Sequence, residues 1–191
     1  MCVNKKETVF SSTKDEPVSF SFVLKNNADI TGSGIRVLGI DPGFAHTGFG
    51  VIECNLNKYR LVDYGEIKTL SCDSNSERLF KIFCNLYDII HEYKPGLVGI
   101  EELFFAKNAS SAMVVSQAKG VIECVVGAFK LPLFHYTPNE IKKAVTGSSK
   151  SDKISVQQGV KFLLGLKSVP EPDHAADALA AAITCYNNTR L

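Results

Sequence analysis

The sequence lacks an excess of either charge: 21 Lys and Arg stand against 20 Asp and Glu, a formal net charge of +1 at pH 7. Overall charge therefore says nothing about polyanionic partners, and any such surface has to come from local clustering. No apolar run approaches the length of a bilayer span, so no membrane-crossing helix is expected. No continuous apolar stretch occupies the N-terminal region, which argues against a secretory signal. The first arginine is Arg36, and Glu7, Asp15 and Glu16 precede it, which argues against a transit peptide. The six cysteines (Cys2, Cys54, Cys72, Cys84, Cys124 and Cys185) form no C-x-x-C pair. Their scatter excludes a disulfide framework, so reduced thiols in the cytoplasm are expected, several of them plain core residues. Internal repeats and low-complexity tracts are absent as well.

What is present suits one domain: 191 residues, 45% hydrophobic and 21% charged, enough to bury a core. Residues 1–34 stand apart. They are polar, have no helical period and end in Thr31-Gly32-Ser33-Gly34. They are read as an N-terminal extension to a domain spanning 35–191. From Ile35 onward the pattern sharpens. Arg36–Ile40, Thr47–Glu53 and Arg60–Lys68 read as strands joined by short connections, which favours an antiparallel meander. Leu79, Ile82, Phe83, Leu86, Ile89 and Ile90 mark a helix over Ser76–Tyr93, stopped by Pro95-Gly96. Leu97–Ile100 and Leu131–Tyr136 read as further strands. Helices are expected over Ala109–Phe129, Pro138–Val145, Asp152–Leu164 and His174–Asn187. The sum is an α/β fold, a five-stranded mixed sheet with helices on both faces.

The acids fall at informative places. Asp41 directly follows one apolar strand and Glu101 directly follows another. A carboxylate in that position sits at the carboxyl edge of a sheet, where open α/β sheets place their ligands. If the two strands are neighbours, two like charges share a crevice, an unfavourable arrangement unless a cation joins them. Hard oxygen donors suit Mg²⁺ or Mn²⁺. The last helix opens Pro172-Asp173-His174-Ala175-Ala176-Asp177, where Asp173 reads as its N-cap and His174 and Asp177, three apart, share a face. The alanines through Ala182 let that helix approach the sheet closely. Taken singly, Asp41 is an ordinary turn residue, Glu101 a surface acid and Asp177 a dipole-favoured helix acid. Taken together they describe a two-metal phosphodiester site. Between Lys142 and Lys161 five lysines stand against one aspartate, a local basic strip beside that cluster.

Several segments in order strengthen this reading. They are Val37-Leu38-Gly39-Ile40-Asp41-Pro42-Gly43, Thr47-Gly48-Phe49-Gly50-Val51-Ile52, Ile100-Glu101-Glu102-Leu103-Phe104-Phe105-Ala106-Lys107-Asn108-Ala109, Gln117-Ala118-Lys119-Gly120 and Asp173-His174-Ala175-Ala176-Asp177-Ala178-Leu179-Ala180. With these, the chain from about Arg36 to Tyr186 resembles the RuvC family of Holliday-junction resolvases, within the RNase H-like superfamily. The resemblance implies a structure-specific, metal-dependent endodeoxyribonuclease with catalytic, metal-holding residues Asp41, Glu101, His174 and Asp177. The third position is acidic in many members and His in others, and cleavage would then fall in mild acid as His174 protonates. The resemblance also implies two Mg²⁺ per subunit with Mn²⁺ able to substitute, and a homodimer acting on four-way junction DNA with the RuvA and RuvB branch-migration proteins. Phe104 falls on the family's base-stacking aromatic, Lys142 and Lys153 on basic positions facing the scissile phosphate, and Lys107 adds a phosphate contact. The small residues Ala112, Ser116, Gly120 and Cys124 make a row suited to close helix contact, expected first within the subunit and alternatively with a second one. The rival readings are an RNase H-like nuclease on other branched or hybrid nucleic acid, a junction-binding module without activity, and an actin-like ATPase. The last would need a second Gly-rich phosphate loop, which the sequence does not supply.

Overall fold

A computed structural model of the chain describes residues 34–56, 58–102 and 109–189. The three expected opening strands are β1 (Ile35–Asp41), β2 (His46–Asn55) and β3 (Lys58–Lys68), paired antiparallel in sequence order. β4 (Leu97–Glu101) joins β1 in parallel, and β5 (Leu133–Tyr136) joins β4 in parallel, giving the order β3-β2-β1-β4-β5. Parallel neighbours need a crossover. α2 (Ala109–Ala128) supplies it between β4 and β5, while α1 (Asn75–Tyr93) returns the chain from β3 to β4. α3 (Pro138–Thr146), α4 (Lys153–Leu163) and α5 (Asp173–Thr189) follow.

Local chemistry sets most of these limits. Ser74 and Thr137 each cap a helix reciprocally with the glutamate three residues on, Glu77 and Glu140, so two otherwise unpaired donors are satisfied at each start. Asp152 accepts from Ser155 N–H and starts α4. Gly147, at φ 81°, ends α3 in the left-handed conformation that glycine adopts without strain. Asp173 does not cap α5 as expected. The Ala175 and Ala176 N–H groups donate to the Pro172 carbonyl (2.9 and 3.4 Å), so the helix already includes Asp173.

The sheet separates two apolar cores. Leu38, Ile40, Val51, Val98 and Ile100 pack on one face with α1 and α2. Val37, Ile52 and Cys54 pack on the other with α3, α4 and the alanines of α5. On this second face a lateral row of three glycines, Gly50, Gly39 and Gly99, crosses β2, β1 and β4 in register. α5 lies directly on that row. A Cβ at Gly39 would stand 1.9 Å from the Ala178 carbonyl oxygen, and one at Gly99 would stand 2.6 Å from the Cys185 Cβ. On the helix side, Ala175, Ala176 and every residue from Ala178 to Tyr186 are buried. Small side chains on both partners thus bring a helix axis close to a sheet with no intervening layer.

A second expectation is corrected. Ser116, Gly120 and Cys124 face outward, and a Cβ at Gly120 would meet nothing within 4 Å, so this row does not pack within the subunit. It faces outward because α2 turns Ala118, Ile122, Val125 and Val126 to the sheet instead.

If close approach of α5 depends on the glycine row, Gly39→Ala loses about 1–3 kcal/mol or more in denaturant unfolding, because backbone rather than a flexible side chain must give way. Gly127→Ala, where a Cβ meets nothing within 4 Å, is neutral or slightly stabilising. Equal stability of the Gly39→Ala variant and the parent contradicts the packing described.

Candidate active site

Sheet register builds the site. Two residues beyond the glycine row toward the carboxyl end of β1, Asp41 stands opposite Gly48 of β2, and Gly48 also pairs with Glu66 of β3. On the other side, the last registered pair between β1 and β4 is Ile40 with Ile100, so Asp41 and Glu101 are the next residues of adjacent parallel strands. Cross-strand partners point to the same face. One lateral row therefore runs Glu66, Gly48, Asp41, Glu101 on the face covered by α5.

The first turn of α5 lies over this row. A Cβ at Gly48 would come within 2.0 Å of the His174 carbonyl oxygen, so the glycine is what allows the helix start to rest there. From that position His174 Nδ1 donates to Asp41 Oδ2 at 2.7 Å. Asp177, one turn on, lies close enough to feel the charge of Asp41 and to act on Glu101. All four residues singled out from the sequence, Asp41, Glu101, His174 and Asp177, thus meet at one sheet edge. Lys142 and Lys153 approach the same place. Both bear on the Glu101 charge, and Lys153 Nζ lies 2.9 Å from Asp173 and 3.6 Å from Asp177. Asp173 also accepts from Gln157 Nε2 at 2.9 Å, so it anchors α4 against α5 and stands outside the central cluster. Phe104 and Lys107 lie outside the described residues.

Two participants were not singled out from the sequence. His46 hydrogen-bonds Glu66, and its ring stacks on His174 with centroids 5.7 Å apart and planes 9° apart. Glu66 also pairs with Lys68 Nζ at 3.1 Å, and its side chain is only 5% exposed. Strand alternation puts His46 on the face of Gly48 and Gly50, but the place of Glu66 depends on an irregularity in β3. The pairing shifts between Val51 and Ile52, whose partners are Asp63 and Leu61, leaving Val62 unmatched. Without that bulge Glu66 would oppose Thr47 and point to the other core.

Crowding of acids shapes the electrostatics. Burial pushes the Glu101 carboxyl up to about 7, with the charges of Asp41 and Asp177 adding to it and those of Lys153 and Lys142 opposing. Burial likewise raises the Asp177 carboxyl despite the pull of Lys153. Hydrogen bonding to Asp41 raises the His174 imidazole above its ordinary value, outweighing burial. At Glu66 burial acts upward, but Lys68 and His46 together outweigh it and hold the carboxyl low.

Three carboxylates and one imidazole are the donor chemistry of a hard divalent cation site, and burial, with the neighbouring acids adding to it, raises Glu101 and Asp177. In chemistry and charge the residues fit Mg²⁺ or Mn²⁺. Among the described residues no three such donors already form a cage. Asp177 is held by Lys153, so cation entry has to exchange that contact.

The shifts fix a sign for stability without metal. Between about pH 4.5 and 7 the folded chain keeps a proton on Glu101 that the unfolded chain has released, so stability falls as pH rises through that window. The favourable His174 contribution is present below its unfolded value and is likewise lost as pH rises past the folded one. Glu101→Gln removes the larger penalty. In EDTA at pH 8 it is expected to stabilise the chain by roughly 1–3 kcal/mol in denaturant unfolding, with the gain fading out below about pH 4.5. A Gln variant no more stable than the parent at pH 8 contradicts the buried-charge account.

Comparison with known proteins identifies the family. The family model described as crossover junction endodeoxyribonuclease RuvC matches residues 37–185. The crossover junction endodeoxyribonuclease RuvC of Treponema denticola is 50% identical over 151 residues, covering 79% of this chain and 85% of the relative. That of Caldicellulosiruptor saccharolyticus is 45% identical over 150 residues, covering 78% and 90%. Among solved structures, Thermus thermophilus RuvC in complex with a Holliday junction substrate superposes with a TM-score of 0.76 at 34% identity, covering 80% of this chain and 94% of that one. The yeast mitochondrial Holliday junction resolvase Ydc2 shares the fold at 16% identity, with a TM-score of 0.58. With the mixed RNase H-like sheet, the acid row at its edge and matches over most of its length, the chain belongs to the RuvC family of crossover junction endodeoxyribonucleases.

Proposed function

We propose that this chain resolves Holliday junctions by symmetric, metal-dependent cuts that leave 5′-phosphates, in DNA recombination and repair. The observation that carries the reading is the side-by-side emergence of Asp41 and Glu101 from parallel strands, with His174 and Asp177 of α5 set over them. Asp41, Glu101, His174 and Asp177 are the residues that would hold two Mg²⁺ per subunit, or Mn²⁺ in their place. Bound there, such ions activate water toward phosphorus and stabilise the departing 3′ oxygen. The chain's own residues do the rest. Glu101, half-buried beside its fellow acids, offers its carboxylate to whatever cation enters. Asp41 keeps the His174 ring turned into the site through the 2.7 Å hydrogen bond. Lys153, held by Asp173 as well as Asp177, keeps its ammonium at the rim, where it and Lys142 meet the scissile phosphate and its neighbours. Phe104 stacks on a base at the junction centre, which tolerates any sequence because every base has a π-face, and Lys107 adds a phosphate contact.

Symmetric cutting of two opposed strands needs two sites related by a two-fold axis. The outward face of α2, with Met113 69% exposed and Ser116, Gly120 and Cys124 beside it, is the surface we assign to the second copy. The domain spans residues 35–191 and works in the cytoplasm with the RuvA and RuvB branch-migration proteins. No helix among the described residues is long and apolar enough to cross a membrane.

Two outcomes test this reading. On labelled four-way, three-way, duplex and RNA–DNA hybrid substrates with Mg²⁺, the four-way junction is cut far faster than the rest. Asp41→Asn lowers that rate by about 10²–10³-fold or more while junction binding persists. A hybrid cut as fast as the junction points instead to an RNase H-like activity. Gly120→Arg sediments as a monomer and leaves junctions uncut or nicked on one strand. A dimeric Gly120→Arg variant moves the interface off α2.

A further inference from the structure

We propose that His46 and Glu66 form a positioning pair for His174. Glu66 holds the His46 imidazole, and that ring, stacked on His174, sets the plane in which His174 offers its nitrogens to a cation. The proposal rests on the reading of His174 as a donor.

The need for such a device follows from the side chain itself. The second torsion of a histidine is broad, with no sharp rotamer to fix the ring plane. His174 is 43% exposed, so packing does not fix it either. Its hydrogen bond to Asp41 holds one edge of the ring and leaves rotation about that contact open. Stacking against His46, with planes 9° apart, removes the remaining freedom. A ligand whose orientation is set before the ion arrives loses less entropy on binding, and partners of this kind commonly change metal affinity by about 10–100-fold.

His46 in turn needs a holder, being 47% exposed at the first position of β2. Glu66 supplies it from the same lateral row as Asp41 and Glu101, separated from Asp41 only by Gly48. Burying this carboxylate to 5% exposure is costly unless it is paired. Lys68 at 3.1 Å and His46 are its partners, and they lie along β3 and β2 rather than in the cluster around Asp41. The bulge at Val62 is what turns Glu66 to this face, within reach of His46. The order Glu66, His46, His174, Asp41 thus runs continuously from the outer strand of the sheet to its active edge.

The test is a Mn²⁺ titration of the full chain without DNA, read by the paramagnetic signal of free Mn²⁺, alongside thermal unfolding. His46→Ala is expected to weaken binding about 10–100-fold while the chain stays folded, Lys68 still pairing Glu66. His46→Phe, which keeps a ring but loses the Glu66 contact, weakens binding in the same direction but less than His46→Ala. Glu66→Ala moves in the direction of His46→Ala. Nuclear Overhauser contacts between the His46 and His174 rings in the unaltered chain are expected as well, and they decide the geometry independently of any variant's folding. If His174→Ala loses Mn²⁺ while His46→Ala binds like the parent, the positioning role is overturned and the donor set stands. A His46→Phe variant that binds like the parent, loss of DNA affinity alone in His46→Ala, or absent ring contacts overturn it equally. Mn²⁺ binding unchanged in His174→Ala would instead defeat the donor set itself.

Discussion

Carboxylates crowded at a partly buried sheet edge are the constraint around which the rest of this molecule is arranged. Like carboxylates brought together in a low-dielectric setting repel and are poorly solvated, and a fold selected only for stability would separate them. Here parallel pairing of β1 with β4 brings Asp41 and Glu101 together, and α5 adds Asp177 from above. The cost shows in the Glu101 carboxyl, pushed up to about 7. Lys142 and Lys153 relieve it only in part. Destabilisation of this kind is tolerated at functional sites, where a bound cation restores the balance.

Bringing α5 onto the sheet is the second requirement, and it explains a composition that would otherwise weaken both elements. Glycine inside strands gives up side-chain packing, and a helix of alanines buries little apolar area per residue. Together Gly39, Gly50 and Gly99 under Ala178, Leu179 and Ala181 permit a separation that larger residues would forbid. That separation carries His174 to Asp41 within hydrogen-bonding distance. Packing and chemistry are thus two consequences of the same small residues.

Much of this was legible in the sequence because it depended on local pattern. Apolar runs ending in Asp41 and Glu101 announce strand-end acids, and His174 and Asp177 at helical spacing announce a shared face. The five strands and five helices are observed within a few residues of their expected limits. What escaped depended on pairing rather than pattern. Glu66 joins the row only because Val62 is bulged out, and nothing in the alternation of β3 signals a skipped residue. Without Glu66 in place, His46 reads as an ordinary residue after a turn. Asp173 looked like a cap because its neighbours suit one, yet the Pro172 carbonyl begins α5 and frees Asp173 for Lys153 and Gln157. The outward row on α2 has a small-residue spacing compatible with either an internal or an external partner, and only the burial of Ala118, Ile122 and Val125 decides between them.

The central claim is that this acid row exists to bind divalent cations. An anomalous-difference map from crystals soaked in Mn²⁺, recorded near the manganese edge, addresses it without reference to activity. The account predicts density enclosed by Asp41, Glu101, His174 and Asp177, with the Lys153 ammonium moved away from Asp177. Manganese bound only elsewhere on the chain, with these four side chains unmoved, would contradict it.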